Sequence, residues 1–216
     1  EEGGGDEAGE AVGGGGGGGV APKPPPARLP QTLVFSSSLE STHRLARLLQ
    51  LLRLDAAEFS SAVPPRQRRA VLQRLKAGEA RLVVASDALA RGMDVDGVEV
   101  VVNYEPPSSF NGYLHRVGRT ARAGRSGTSF TLLREEEEVD FRQLLAEAGA
   151  PYRAFELGGQ GRRLRRLRPE YDLALERLSA LLALEAAGRL APLAPIPTEI
   201  WQLGEEEGEG GGGEGG

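Results

Sequence analysis

The sequence predicts an α/β fold built on a parallel sheet, and three observations lead there. Short β-branched runs alternate with amphipathic stretches of 10–15 residues, the order expected of strand–helix–strand units. The runs are apolar at consecutive positions, as strands buried between two helix layers must be. The turn signals between them, Gly78 and Pro65 among others, sit where helices should end and begin.

Taken in order, residues 20–30 (VAPKPPPARLP) form a proline-rich linker, so the folded part starts near Leu29. Strands are expected at 32–36 (TLVFS), 56–60, 81–85, 98–103 and 128–133. A helix over 39–52 repeats Leu at 45, 48, 49 and 52, and Ser37 three residues before Glu40 suggests a capping box at its start. The next helix, 65–77, opens with Pro65 and closes at Gly78; two more cover 109–120 and 135–148, the last stopping at Gly149 before Pro151.

The ends differ from this middle. Residues 1–20 hold 11 Gly and five acids, residues 204–216 hold eight Gly and five Glu, and neither stretch has a Lys or Arg. With so few apolar side chains to offset the entropy of ordering, both read as disordered acidic tails. The remaining 183 residues carry 26 basic against 21 acidic side chains, so a chain of formal charge −5 has a mildly basic centre suited to an anionic partner. No apolar run approaches the roughly 18 residues that span a bilayer and no charged-then-apolar leader opens the sequence, which predicts a soluble intracellular protein. With no Cys and only two His, disulfides, thiolate sites and a zinc cluster are excluded, and no metal ligand set is expected.

Ligands of open α/β sheets bind beyond the carboxyl ends of the strands. Three segments there are unusual: Ser36-Ser37-Ser38, then Ser86-Asp87 through Arg91-Gly92-Met93-Asp94, then His115-Arg116-Val117-Gly118-Arg119-Thr120-Ala121-Arg122, continuing to Gly124 and Arg125. Four Arg in the ten residues 116–125, at spacing three, can converge on phosphate oxygens, and Gly118 and Gly124 would allow close backbone approach. The same row also reads as a solvated basic face or a localisation patch.

These segments resemble a known family. His115 to Arg122 looks like the last motif of DEAD-box RNA helicases, and Ser86 to Asp94 looks like the motif before it, usually T-D-x-A-x-R-G-x-D. Thr32 to Ser38 resembles the motif that opens their second RecA-like domain, and Gln67-Arg68 with Gly78 resembles the stretch between. The match runs in unbroken order over 29–157. Ala57 to Ser61, Val98 to Tyr104 and Ala146 to Pro151 are similar to the nucleolar subgroup acting in assembly of the large ribosomal subunit.

The resemblance implies a RecA-like helicase C-terminal domain acting on ATP and RNA, with pre-ribosomal RNA as substrate and the nucleus and nucleolus as location. It places Arg119 and Arg122 as catalytic finger arginines at the γ-phosphate, Gly92 and Asp94 at the ATP ribose, Ser38, Arg68 and Ser86 on the RNA backbone, and His115 and Arg116 as polar links to the other half of the enzyme and within this domain. It also implies Mg²⁺, held by the family's first domain. That domain's G-x-x-x-x-G-K-[ST] loop and Asp-Glu-Ala-Asp element do not occur in the printed sequence, and Gly13 to Gly19 has neither Lys-Ser/Thr nor a flanking strand. The chain therefore reads as half of an ATP-dependent enzyme, inactive alone. Two departures are mild: Ser86 replaces Thr and Ala121 replaces the commoner Gly.

Two other classes compete. A non-catalytic RNA- or protein-binding module would have no need of Arg119, Arg122 and Asp94 together. A DNA translocase of the same superfamily usually has Gln where this chain has His115.

Beyond Leu157, Gly158, Gly159 and Gly161 lead into five Arg in the seven residues 162–168, either a solvated helix start or an auxiliary RNA contact. A basic and helical extension is thus expected over 158–203. Its core is an amphipathic helix over 170–190 that docks on the domain or engages a protein partner. Residues 191–203, with three Pro and Trp201, read as irregular, with room for a short partner motif.

Overall fold

The structure, a computed structural model, describes residues 29–87, 95, 98–122, 124–147, 149–155 and 161–204. The two tails, the bulk of the 88–94 segment's motif including Gly92 and Asp94, and the 157/158 boundary with Gly158 and Gly159 lie outside the described residues.

Five strands form one parallel sheet: β1 (Thr32–Ser36), β2 (Ala56–Phe59), β3 (Leu82–Ser86), β4 (Val100–Asn103) and β5 (Thr128–Thr131), in the order β2-β3-β1-β4-β5. Among the described residues six helices accompany them: α1 (Leu39–Leu51), α2 (Pro65–Lys76), α3 (Phe110–Val117), α4 (Glu138–Glu147, after a 3₁₀ turn at Glu135–Glu137), α5 (Gly161–Ala186) and α6 (Thr198–Gln202). Successive residues of a strand face opposite layers. Leu33, Phe35, Val83, Ala85 and Val101 accordingly pack with Leu75 of α2, while Val34 and Val84 pack with Leu45 and Ala46 of α1. The chain crosses β1 on its way from β3 to β4, so the segments after β1, β3 and β4 leave one edge where the winding reverses, the usual position of a ligand site.

Four expectations are corrected. β5 is an edge strand with Phe130 52% exposed, so it is not covered on both faces. The cap of α1 is Ser38, which has extended backbone and accepts a hydrogen bond from Ser41 N at 3.0 Å; Ser37 bonds elsewhere. The helix expected over 170–190 instead spans Gly161–Ala186: α5 takes in the arginine run, which is a helix start as one of its two readings had it, and continues through Pro169. Proline deprives the carbonyl four residues back of its donor; that residue, Arg165, is exposed, where water can substitute. Residues 191–203 are not wholly irregular: Ile200 of α6 is buried against Leu51, Ala174, Leu178 and Leu181. Arg177 of α5 ties the end down by donating to Leu203 O at 2.9 and 3.1 Å and to Trp201 O.

The leucines of α5 thus dock on α1. Beneath that contact lies a buried polar cluster: His43 Nδ1 is 2.7 Å from Glu58 Oε2, its Nε2 is 2.7 Å from Glu185 Oε2, and Arg47 donates to Glu185 Oε1 at 2.7 and 3.0 Å. Among the described residues no helix is long and apolar enough to cross a membrane.

Candidate functional site

The carboxyl edge of the sheet divides into two halves. On one side, adjacent strands β1, β3 and β2 deliver the residues expected at RNA. Ser36 pairs in register with Ser86, and Phe59 with Ala85, so Ser38, Ser86 and the turn after β2 leave the edge side by side. Ser38 is exposed; its Oγ caps α1 as an acceptor and keeps its own proton to donate. Ser86 is 3% exposed, and its Oγ has no hydrogen-bond partner among the described residues. Arg68, half-buried in the first turn of α2, donates to Val63 O at 2.8 Å and holds the turn after β2.

On the other side, β4 leads into α3 and the loop beyond it, where the arginines lie. Arg119 is 9% exposed and donates through Nε to His115 O at 3.2 Å; Arg122, half-buried, repeats the contact one turn later, from Nε to Gly118 O at 2.5 Å. Each stem is fastened to a carbonyl four residues earlier at the end of α3, which orients the guanidinium fork. Gly118 sits close to its own helix, where a Cβ would lie 2.8 Å from Leu114 O. At Gly124 a Cβ would meet nothing within 4 Å, and its φ of +74° favours Gly. His115 is exposed on the outer side of α3.

Arg116 joins the two halves. Expected as a link toward another domain as well as within this one, it is 1% exposed and engaged inside this one. It donates to both carboxylate oxygens of Asp87 at 2.6 and 2.7 Å, to Glu105 O at 2.7 Å, and to Asn103 Oδ1 at 3.4 Å, with its guanidinium 5.6 Å from the Phe35 ring. One side chain therefore fixes the exits of β3 and β4 above the end of β1.

Two acids at this edge were given no role from the sequence: Asp87, although it lies within the quoted Ser86 to Asp94 motif, and Glu105, which lies in none. Glu105 accepts from Ser37 N at 2.6 Å, from Ser37 Oγ, and from Ser41 Oγ at 2.6 Å. Burial pushes its carboxyl up, but those serine bonds and the Arg116 charge outweigh burial and hold it below the usual carboxylate range. The signal for Glu105 in the sequence was an acid two residues beyond a strand at its carboxyl end. Among the described residues no group of three His, Cys, Asp or Glu side chains could hold a metal ion.

Residues 27–124 match the helicase conserved C-terminal domain. The chain is 30% identical to the Escherichia coli DEAD-box protein SrmB, solved bound to regulator of ribonuclease activity A, with a TM-score of 0.55 over 60% of this chain and 77% of that one. The chain belongs to the DEAD-box helicases. It is also 45% identical over 163 residues, 74% of its own length, to the ATP-dependent RNA helicase DDX51 of Homo sapiens. Domain 2 of the DEAD-box helicase Mss116p, solved bound to an RNA duplex, superposes with a TM-score of 0.51 at 28% identity, over 59% of this chain and 53% of that one. The chain spans 24% of the length of the human relative. The described sheet with its flanking helices has the RecA-like fold of this family's C-terminal domain.

Proposed function

We propose that this chain supplies the C-terminal, RNA-gripping and arginine-donating half of an ATP-dependent RNA helicase acting in ribosomal RNA processing. Residues 29–157 form the RecA-like unit and 158–203 its extension, working with a first RecA-like domain that holds the phosphate loop and Mg²⁺. The observation that carries this reading is the division of one sheet edge into a hydroxyl-bearing half (Ser38, Ser86, with Arg68) and an arginine half (Arg119, Arg122), coupled through Arg116 and Asp87.

Ser38, Ser86 and Arg68 contact phosphate oxygens, which grips RNA without reading its sequence. Arg119 and Arg122, fixed at the end of α3, meet the γ-phosphate when the other domain closes and neutralise charge developing there. Gly92 and Asp94 contribute to the ribose side. His115, exposed, forms the polar link to the closing domain. ATP and RNA thus bind on one side each of a clamp, and closure on both bends the RNA strand. Nucleolar pre-ribosomal RNA as substrate rests on the likeness of Ala57 to Ser61, Val98 to Tyr104 and Ala146 to Pro151 to that subgroup.

The test measures phosphate release, with and without RNA, from the chain alone and from the chain joined to a DEAD-box first domain. Background turnover alone and RNA-stimulated turnover when joined are expected. In the joined protein, Arg119→Ala lowers kcat by about 10³-fold or more while leaving nucleotide-free RNA affinity unchanged. Arg68→Ala weakens RNA binding on every sequence alike. If both variants lost RNA binding equally and kept turnover, the division into two halves would be wrong.

A further inference from the structure

The first turns of α1 and the middle of α5 enclose a cleft of about 340 Å³ that the helicase reading leaves unused. Its walls include Tyr104, which directly follows β4, and Tyr171 of α5; each is about two-fifths exposed, at 42% and 41%. Ser38, Glu40, Ser41 and Arg44 line it from the α1 side, and its floor is aliphatic, with Leu45, Leu48 and Leu178.

We infer that this cleft takes one unpaired nucleobase of the RNA strand, flanking the part of the strand held at Ser38 and Ser86. The inference rests on the RNA-binding reading of that edge. Three features favour a base over other occupants. Tyrosine rings offer π-faces on which any base stacks, a common means of holding single strands without sequence preference. The cleft opens directly onto Ser38, so a strand whose phosphate meets that hydroxyl has its next nucleotide within reach. A cationic group lies on the α1 wall: Arg44, whose pairing with Glu40 of the same wall is long at 3.7 Å and solvent-screened; exposed arginines 165, 166 and 168 precede Tyr171 on its helix, Arg168 paired with Asp172 at 2.8 Å. An apolar peptide would make no use of the Ser38 proton or of the Arg44 charge, whereas a nucleotide stacks its base on the tyrosine rings and offers phosphate oxygens to both.

Because α5 is docked through the His43–Glu185 and leucine contacts, Tyr171 is carried on a fixed support. The extension then serves as one wall of a composite RNA groove, lengthening the contacted strand by a nucleotide.

The experiment titrates the whole chain with fluorescein-labelled oligouridines of about 5 and about 12 nucleotides, lengths that bracket typical single-strand site sizes. Tyr171→Ala and Tyr104→Ala should each weaken binding of the longer oligomer by about tenfold and leave the shorter unchanged, and Tyr171→Phe, which keeps the ring, should bind like the parent. Thermal melting of each variant verifies the fold, and 4-thiouridine in the longer oligomer should crosslink to Tyr104 or Tyr171. Binding of both oligomers with no loss on either alanine substitution, in folded protein, overturns the cleft alone and leaves it to a protein ligand. Failure of the parent chain to bind either oligomer overturns the RNA reading of the edge together with the cleft.

Discussion

Nε2 of His43 and Oε2 of Glu185 lie 2.7 Å apart although 142 residues separate them in the chain, and this contact fastens the far end of α5 to α1. The other imidazole nitrogen, Nδ1, is 2.7 Å from Glu58 Oε2 on β2, and the buried Arg47 completes the cluster at Glu185. The bond to Glu58 raises the His43 pKa above its ordinary 6.5, burial opposes it, and Glu185 adds to the rise. The folded state therefore favours the imidazolium. Its contribution to stability is full below pH 6.5 and is lost as pH rises through the raised value. The melting temperature of the chain should fall between pH 6 and pH 9, with the fall attenuated in His43→Gln. A melting temperature that rose over that interval would contradict the charged bridge.

Removing the carboxylate from the same cluster tests a different quantity. Glu185→Ala leaves the Arg47 guanidinium, whose side chain is 4% exposed, without its carboxylate partner. Breaking a buried pair by deleting one partner costs about 3–5 kcal/mol, enough to detach α5 or unfold the chain. Denaturant unfolding of Glu185→Ala against Glu185→Gln measures it, since the amide keeps an acceptor for Arg47 and should cost less.

Arg116 and Asp87 invite a comparison by side-chain shape. Arg116→Lys preserves charge but offers no fork for the two carboxylate oxygens and cannot also reach Glu105 O, so it should destabilise by about 2–4 kcal/mol and lower RNA-stimulated turnover of the joined protein through misplaced loops. Recovery of full stability by the lysine variant would show that charge alone holds the two exits together.

The backbone near the arginines carries two oppositely signed tests. Ala121 has φ of +55°, a conformation that costs an L side chain about 1–2 kcal/mol, so Ala121→Gly should be neutral to stabilising by about 1 kcal/mol after glycine's own entropic penalty. Six residues on, a Cβ at Gly127 would fall 2.0 Å from Thr120 Oγ1 and 2.6 Å from Ala121 N. Gly127→Ala should destabilise by about 1–3 kcal/mol. Paired melts of the two variants decide both.

The parallel sheet was legible because burial on two faces is written as consecutive apolar residues, as in Leu33-Val34-Phe35 and Val83-Val84-Ala85. The arginine row was legible because its period survives in the fold as successive bonds to His115 O and Gly118 O. Glu105 with Ser37, and His43 with Glu185, were not, because their partners lie 68 and 142 residues away and only the crossing of β1 and the return of α5 bring them together. α5 runs through Pro169 although that residue costs Arg165 O its donor, because the docking of Ala174, Leu178 and Leu181 stabilises the helix across it.

That continuity alters how the arginine run should be tested. Deleting 158–203 would remove the arginines together with the helix whose Ala174, Leu178 and Leu181 cover Leu51, so lost RNA binding could not be separated from lost packing. The exposed arginines 162, 165, 166 and 168 can instead be changed to Gln, which retains helix propensity and leaves the docked face untouched. If these side chains neutralise RNA phosphates, each contact removed should lower the slope of log affinity against log salt by about 0.7. The quadruple variant should therefore lose up to about three units of slope, bind RNA much more weakly at low salt and converge on the parent at high salt. An unchanged slope in a protein with an unchanged melting temperature would confine the run to solvent and leave RNA binding to the sheet edge.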